Sequence, residues 1–424
     1  MRVKIHQSEL RGTVEVPPSK SITHRTLICS ALAEGKSRIR SPLIAEDTQA
    51  TSRILQTLGV EISEEPNLWE ISGGHLQEPA ESLFCGESGT TLRLSTAICA
   101  LVNGECRLTG GPSLSRRPVG DLVDGLSQLG VDCESKGGFP PVTVRGKGRI
   151  EGGEAAIRGD ISSQFVSGLL LIAPFGSNAT SIRLTTQLES KPYVAMTMDV
   201  QRRFGVVVQA SDDLNSYQIE SQCYRPTDIT VEGDWSSAAY LLAAGVLAGE
   251  VTVKNLDTRS NQADKAIVDI LEGMGANVLH RQGSISIQKT ALSGIELDLS
   301  DSPDLFPVTA SLCSTASGNS VLRGLGRLRF KESDRVKAMV EGLRKMGVKA
   351  REETNSVWIE GGKPRGGVIN PYNDHRIAMA LSLLGLIANR ETVILNSECV
   401  SKSYPEFWRD LADIGGDLRR LNDE

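Results

Sequence analysis

Hydrophobic and polar positions along this 424-residue chain repeat in two interleaved phases. In the first phase an amphipathic stretch ends in a hydrophobic residue and a glycine, and a β-like run follows. The junction recurs as Leu58-Gly59, Leu129-Gly130, Phe204-Gly205, Met274-Gly275, Met346-Gly347 and Ile414-Gly415, with glycines 71, 75, 70, 72 and 68 residues apart. In the second phase alanine- and leucine-rich helical patterns start near Ser21, Thr90, Ser162, Ser236, Asp304 and Asp374. Five end at Gly35, Gly104, Gly176, Gly249 and Gly318, and the sixth ends at Asn389-Arg390. Strand-like runs such as Val251-Thr252-Val253 and Thr392-Val393-Ile394-Leu395 follow them. A glycine after the last turn is a C-cap signal, because glycine adopts the left-handed conformation without steric cost. Each unit therefore predicts two helices and several short strands. The first helix is apolar nearly all round, which predicts burial. The second, as in Asp264-Lys265-Ala266-Ile267-Val268-Asp269-Ile270-Leu271, is amphipathic and predicts a solvent-facing helix. A period of roughly 70 residues exceeds the solenoid range of about 20–50. Closed domains are therefore expected, and six units divide most simply into two domains of three.

Composition narrows the class. A hydrophobic fraction of 39% with 23% charged residues is that of a globular chain. No run approaches the length of a transmembrane span, and Met1-Arg2-Val3-Lys4-Ile5-His6 lacks the apolar core of a secretory peptide. The eight cysteines are scattered without a Cys-x-x-Cys pair, which points to a reduced, cytoplasmic setting. A net charge of −6 argues against generic nucleic-acid binding. The five histidines show no ligand spacing, so no metal site is expected. Neither a phosphate loop nor a dinucleotide fingerprint is present.

Polar clusters fall at one phase of the repeat. Ser19-Lys20-Ser21, Gly86-Glu87-Ser88-Gly89-Thr90-Thr91, Ser162-Ser163-Gln164 and Asn373-Asp374-His375-Arg376 open predicted buried helices. Arg116-Arg117-Pro118, Ser190-Lys191-Pro192, Lys331-Glu332-Ser333 and Lys402-Ser403 open amphipathic ones. A helix start carries free N–H groups and the positive end of the dipole, so it suits an anion. Serine and threonine there are ordinary caps taken singly. Lysine and arginine there oppose the dipole unless an anion is present. The set Lys20, Arg25, Arg93, Arg117, Lys331, Arg335, Arg376 and Lys402 therefore predicts a pocket for a multiply charged anion. Ser21 and Arg25 share a helix face, as do Lys331 and Arg335. Glu332 reads as a proton carrier or as a first-turn acid, with Ser333 as cap. Asp304 reads as an N-cap or a base. His375 reads as ligand, acid or packing.

These motifs stand in the order found in the EPSP synthases, the 3-phosphoshikimate 1-carboxyvinyltransferases. They are Pro18-Ser19-Lys20-Ser21-Ile22-Thr23-His24-Arg25, Gly89-Thr90-Thr91-Leu92-Arg93, Arg117-Pro118, Ser162-Ser163-Gln164-Phe165, Ser190-Lys191-Pro192-Tyr193, Gly233-Asp234-Trp235-Ser236-Ser237-Ala238, Lys331-Glu332-Ser333-Asp334-Arg335, Asn373-Asp374-His375-Arg376 and Lys402-Ser403-Tyr404-Pro405. The chain resembles that family from about Val14 to Phe407. The resemblance implies a two-domain inverted α/β barrel of six βαβαββ repeats, three per domain. One domain would be residues 1–17 with 232–424, the other 18–231, with the active site in the cleft between them. The implied reaction joins shikimate 3-phosphate and phosphoenolpyruvate into 5-enolpyruvylshikimate 3-phosphate and phosphate, in the shikimate pathway to chorismate and the aromatic amino acids. It proceeds through a tetrahedral intermediate, without cofactor or metal.

By the same resemblance, Lys20, Ser21, Arg25, Ser162, Ser163, Gln164, Ser190, Tyr193, Asp304 and Lys331 would hold shikimate 3-phosphate. Lys20, Gly89, Arg117, Gln164, Arg335, Arg376 and Lys402 would hold phosphoenolpyruvate, with Arg93 in support. Asp304 would accept the 5-hydroxyl proton. Glu332 would serve proton transfer at the methylene carbon, assisted by Lys20. Partners would be these small anions alone, without nucleic acid or membrane, and the protein would be a cytoplasmic monomer. Glu87-Ser88 stand where the family usually has Asn-Ala. An acid beside a phosphoenolpyruvate pocket should weaken anion binding unless Lys20 or an arginine pairs with it, and would tune the response to glyphosate, the family's competitive inhibitor. UDP-N-acetylglucosamine enolpyruvyl transferase shares the fold and donor. It normally carries a reactive cysteine in the loop before its Arg-Pro motif, and residues 110–117 here contain none. A non-catalytic anion-binding relative is the other alternative; Lys20, Asp304 and Glu332 argue against it.

Overall fold

The computed structural model describes residues 1–421. Among them are six four-stranded sheets of one design. In the sheet Gly153–Ile157, Thr180–Leu184, Ser216–Ile219 and Gln209–Ala210, written in spatial order, the first pair is parallel and the other pairs are antiparallel. A buried helix joins the parallel strands, and a second helix lies between the later ones. This is the α/β repeat that the periodicity predicts.

The chain forms two compact units, Pro18–Val231 and Met1–Pro17 together with the chain from Glu232 onward. Strand pairing explains the division. Leu10–Glu15 precedes the Lys20–Leu32 helix in sequence, yet pairs in parallel with Gly249–Lys254. Asp228–Thr230 precedes the Trp235–Ala248 helix, yet pairs in parallel with Gly35–Arg40. Each crossing of the chain thus leaves its last strand in the unit it departs from. Arg2–Ile5 lies between Thr392–Ile394 and Leu418–Leu421, so both ends of the chain complete one sheet.

Each unit has its own hydrophobic core. Trp235–Ala248 is buried over its full length, as is His375–Gly385. Lys20–Leu32 is also buried, but it is not apolar all round: Thr23, His24, Arg25, Thr26 and Ser30 are inside. Among the described residues no helix is long and apolar enough to cross a membrane. The eight cysteines are free, and six of them are buried.

The two glycine series have different jobs. Gly59, Gly130, Gly205, Gly275, Gly347 and Gly415 follow solvent-side helices with φ between 81° and 108°. At Gly59, the glycine N–H bonds to Gln56 O and the next N–H to Leu55 O, and the pattern recurs at all six. That left-handed turn satisfies the last helix carbonyls. The residue before each glycine is buried, which anchors the turn. The other series was expected to cap the buried helices, and it is not uniform: Gly35, Gly104 and Gly318 have positive φ of 117°, 152° and 89°, and the other two do not. Gly249 is extended at φ 169° and Gly176 has φ −66°. Gly35, Gly104 and Gly318 lie beyond the helix ends, at strand starts. At Gly249 the constraint is space: a Cβ would lie 1.9 Å from Leu10 O.

The two roles predict different losses. At Gly275 an added methyl meets nothing within 4 Å, so Gly275→Ala should cost only the left-handed strain, about 1 kcal/mol in urea melts. Gly249→Ala should cost more and expose the Leu10–Glu15 strand to amide exchange.

Candidate active site

In the Pro18–Val231 unit most of the expected residues lie at the starts of four helices, Lys20–Leu32, Gly89–Ile98, Ser163–Ile172 and Lys191–Arg203, and Arg117 follows a 3-10 turn. Lys20, the first residue of its helix, donates to Asp47 Oδ2 at 2.8 Å. Behind this pair a chain of polar contacts joins His24 Nδ1 to Thr51 Oγ1 and Thr51 Oγ1 to Thr91 Oγ1, each 2.8 Å. Burial, then Lys20 and Arg25, push the His24 imidazole well below its ordinary value, so it is neutral. The contacts therefore fix the helix starts without adding charge.

Arg25 is 2% exposed. Its nitrogens donate to Thr197 Oγ1 (2.7 Å), Ser21 O (2.9 Å) and Tyr193 O (3.1 Å), all neutral acceptors. Burial lowers its value to about 10. A buried cation with neutral partners gains strongly from a nearby anion. Ser190 precedes the Lys191–Arg203 helix in the left-handed region, at φ 56°. Such strain in a non-glycine residue concentrates at functional sites.

Ser162 caps the Ser163–Ile172 helix by accepting from Gln164 N, and Ser163 is its buried first residue. The Gln164 side chain donates to Thr90 Oγ1 and accepts from Arg93, both at 2.8 Å. Arg93 lies over the Phe165 ring and donates to Pro118 O. Arg117 is 5% exposed, and a Cβ on Gly89 would lie 2.4 Å from its Nη1. Glycine at position 89 is thus what lets that guanidinium lie against the helix start.

The other unit contains a denser cluster. Asp304 Oδ1 meets Arg335 at 2.9 Å and Lys331 at 3.7 Å, and Oδ2 meets Arg376 at 2.8 Å. Burial would raise this carboxyl, but Arg376, Lys331 and Arg335 hold it well below the usual range. Arg335 is 1% exposed and also meets Glu332 at 2.5 Å and Asp374 at 2.9 Å. Arg376 donates to Ser236 Oγ, and Lys402 to Asn373 O. Partial burial lowers Lys331 to about 8, with Asp304 opposing the shift and Arg335 adding to it.

Several local expectations are corrected. Arg117 and Lys331 end short 3-10 turns, and Lys402 is the last residue of one, so none lies in the first turn of an α-helix. Lys331 and Arg335 do not share a helix face; Asp304 joins them. Asp304 makes ion pairs rather than a side-chain cap. Asp334, not Ser333, caps the Arg335–Lys345 helix, and Ser333 donates to Asp374 instead. Asp264, expected on a solvent face, is buried; desolvation, then Asp304, raise it to about 6. Glu87 pairs with neither Lys20 nor an arginine. It accepts from the backbone of Leu114 (2.8 Å) and Ser113 (3.4 Å).

The model of the EPSP synthase (3-phosphoshikimate 1-carboxyvinyltransferase) family matches residues 5–411. The chain belongs to this family. It is 42% identical to the 3-phosphoshikimate 1-carboxyvinyltransferase of Dehalococcoides mccartyi, covering 98% of this chain and 99% of the relative. It is 41% identical to that of Methanocorpusculum labreanum, covering 99% and 100%. The EPSP synthase structure from Acinetobacter baumannii superposes with a TM-score of 0.82 at 27% identity, over the whole of both chains. The two-domain α/β architecture of the enolpyruvyl transferases is therefore this chain's fold.

Sequence reasoning missed Asp47, Thr197 and Asp264. Asp47 reads as an ordinary first-turn acid, Thr197 as one polar residue in a helix, and Asp264 as a surface charge. Only contact reveals their partners. Among the described residues, no group of three or more His, Cys, Asp or Glu side chains is arranged to hold a metal ion.

Asp374 both binds Arg335 and caps the His375–Gly385 helix by accepting from Arg376 N. Asp374→Ala should therefore lower stability by about 1–3 kcal/mol in thermal unfolding, since it removes the helix cap and one of the three carboxylates on the buried Arg335.

Proposed function

We propose that the cationic clusters of the two units supply the residues with which this chain transfers the enolpyruvyl group. The reaction is that of the family: phosphoenolpyruvate and shikimate 3-phosphate give 5-enolpyruvylshikimate 3-phosphate and phosphate, within the shikimate pathway. The observation that carries the residue assignment is the grip of Arg335, Arg376 and Lys331 on Asp304, beside Glu332.

Arg25, with Ser21, Ser162, Ser163, Ser190, Tyr193 and Lys331, holds shikimate 3-phosphate. The neutral hydrogen bonds of Arg25 leave its charge for the phosphate. Lys20, Arg117, Arg335, Arg376 and Lys402 hold phosphoenolpyruvate, with Gly89 giving it room and Gln164 between the substrates. Asp304 takes the 5-hydroxyl proton as that oxygen bonds to the enol carbon. Glu332 delivers a proton to the methylene carbon, assisted by Lys20. The tetrahedral adduct then loses phosphate, and a proton leaves the methyl group to restore the double bond. Cations offset the repulsion of two bound anions, and the positioned acid supplies the proton.

The ion pairs suggest an order of events. A carboxylate gripped by three cations is a weak base. Phosphoenolpyruvate competes for Arg335 and Arg376, which loosens their hold on Asp304 and makes it more basic. The net charge of −6 and the free cysteines favour a cytoplasmic protein acting on small anions, without nucleic-acid or membrane partners. A monomer suffices for this reading, because one chain supplies every assigned residue.

Phosphate release should require both substrates, and Glu332→Ala should slow it about a hundredfold or more, the range for a lost general acid. Release from phosphoenolpyruvate with UDP-N-acetylglucosamine instead would overturn the reading. A second test uses Lys331, whose value is lowered to about 8. It is charged below that pH and neutral above it, so kcat/KM for shikimate 3-phosphate should fall as pH rises through about 8. Lys331→Arg should remove that fall.

A further inference from the structure

Glu87 is the acidic residue that the expected chemistry leaves unused. Its carboxylate faces backbone rather than substrate cations. Leu114 N and Ser113 N donate to it at 2.8 and 3.4 Å. These N–H groups lie at the start of the 3-10 turn Leu114–Arg116, whose next residue is Arg117. Arg117 N closes the turn on Leu114 O at 3.0 Å. The loop is shaped around the carboxylate: a Cβ on Gly111 would lie 2.2 Å from Glu87 Oε1. Gly111 N bonds to Gly86 O at 2.8 Å, and Leu114 is fully buried, so the loop is held on both sides of the acid. At its far end, Arg117 Nη1 lies where a Cβ of Gly89 would be 2.4 Å away.

We infer that Glu87 is a positioning residue for Arg117. A carboxylate accepting two backbone N–H groups at a turn start fixes that turn strongly, because charge-assisted bonds are shorter and stronger than neutral ones. The turn in turn fixes the direction in which Arg117 leaves the loop. The acid thus aids anion binding by aiming a cation. This rests on the proposed role of Arg117 toward phosphoenolpyruvate. It is the alternative to the expectation that an unpaired acid here weakens anion binding.

Glu87→Ala and Glu87→Gln in the full chain separate aiming from repulsion. Glutamine keeps an acceptor of the same reach and loses the charge. Glu87→Ala should raise the KM for phosphoenolpyruvate about five- to tenfold, the scale of a lost cap. The KM for shikimate 3-phosphate should stay near that of the unsubstituted chain. Glu87→Gln, which keeps one of the two acceptors, should recover part of the loss. In an Arg117→Ala background, Glu87→Ala should add little. Amide exchange at Ser113 and Leu114 should quicken in Glu87→Ala whether or not the chain turns over substrate, so the cap is tested apart from the activity. Unchanged exchange there overturns the inference. So does an unchanged KM for phosphoenolpyruvate, or a KM lowered in both variants, which would mean that the charge repels substrate directly. An unsubstituted chain without phosphate release would instead overturn the reading of function. Should Glu87→Ala fail to fold, Glu87→Gln with Gly111→Ala, which crowds the same carboxylate position, makes the comparison.

Discussion

A guanidinium out of water must have partners, and that constraint organises the polar interior. Arg335 is almost fully buried and is surrounded by Asp304, Glu332 and Asp374. Removing three acids and a cation from water is costly, and good hydrogen-bond geometry offsets the cost only when every member is in place. The cluster therefore depends on several separate segments meeting. Asp304 comes from a 3-10 turn, Glu332 from a loop, Arg335 from a solvent-side helix and Asp374 from the cap of a buried helix. The same packing depresses the carboxyl of Asp304 and lowers Lys331.

The other unit meets the constraint differently. Lys20 has a carboxylate, Asp47, whereas Arg25 has a hydroxyl and two carbonyls. His24 between them stays neutral. The unit thus presents positive charge that its own residues compensate only in part, on helix starts held by a neutral hydrogen-bond chain. Such an arrangement favours an arriving anion, whereas the cations of the Asp304 cluster already face protein carboxylates.

The repeat was legible because the same backbone problem recurs six times. A helix that must stop and turn back toward a strand needs a left-handed residue, so glycine appears at a near-constant interval after a buried hydrophobic anchor. The other glycine series looked equivalent and was not. At Gly249 the need is a close approach by Leu10, a residue more than two hundred positions away, and no local pattern encodes that. The buried helices were legible from alanine and leucine. The serines at their starts read as caps, and Ser88 and Ser162 are caps, but the partners of Lys20 and His24, Asp47 and Thr51, come from another helix.

By itself the sequence determined the period, the α/β class, the motif order that marks the family, and the cation-rich set on which the proposed site rests. These depend on local spacing, on helix and turn preferences, and on residue type. Tertiary structure decided which strand completes which sheet, which acids compensate which cations, and that Glu87 faces the backbone of residues 113–114. Those outcomes depend on contacts between distant segments, and on the energy of charges removed from water. Neither is expressed in the order of neighbouring residues.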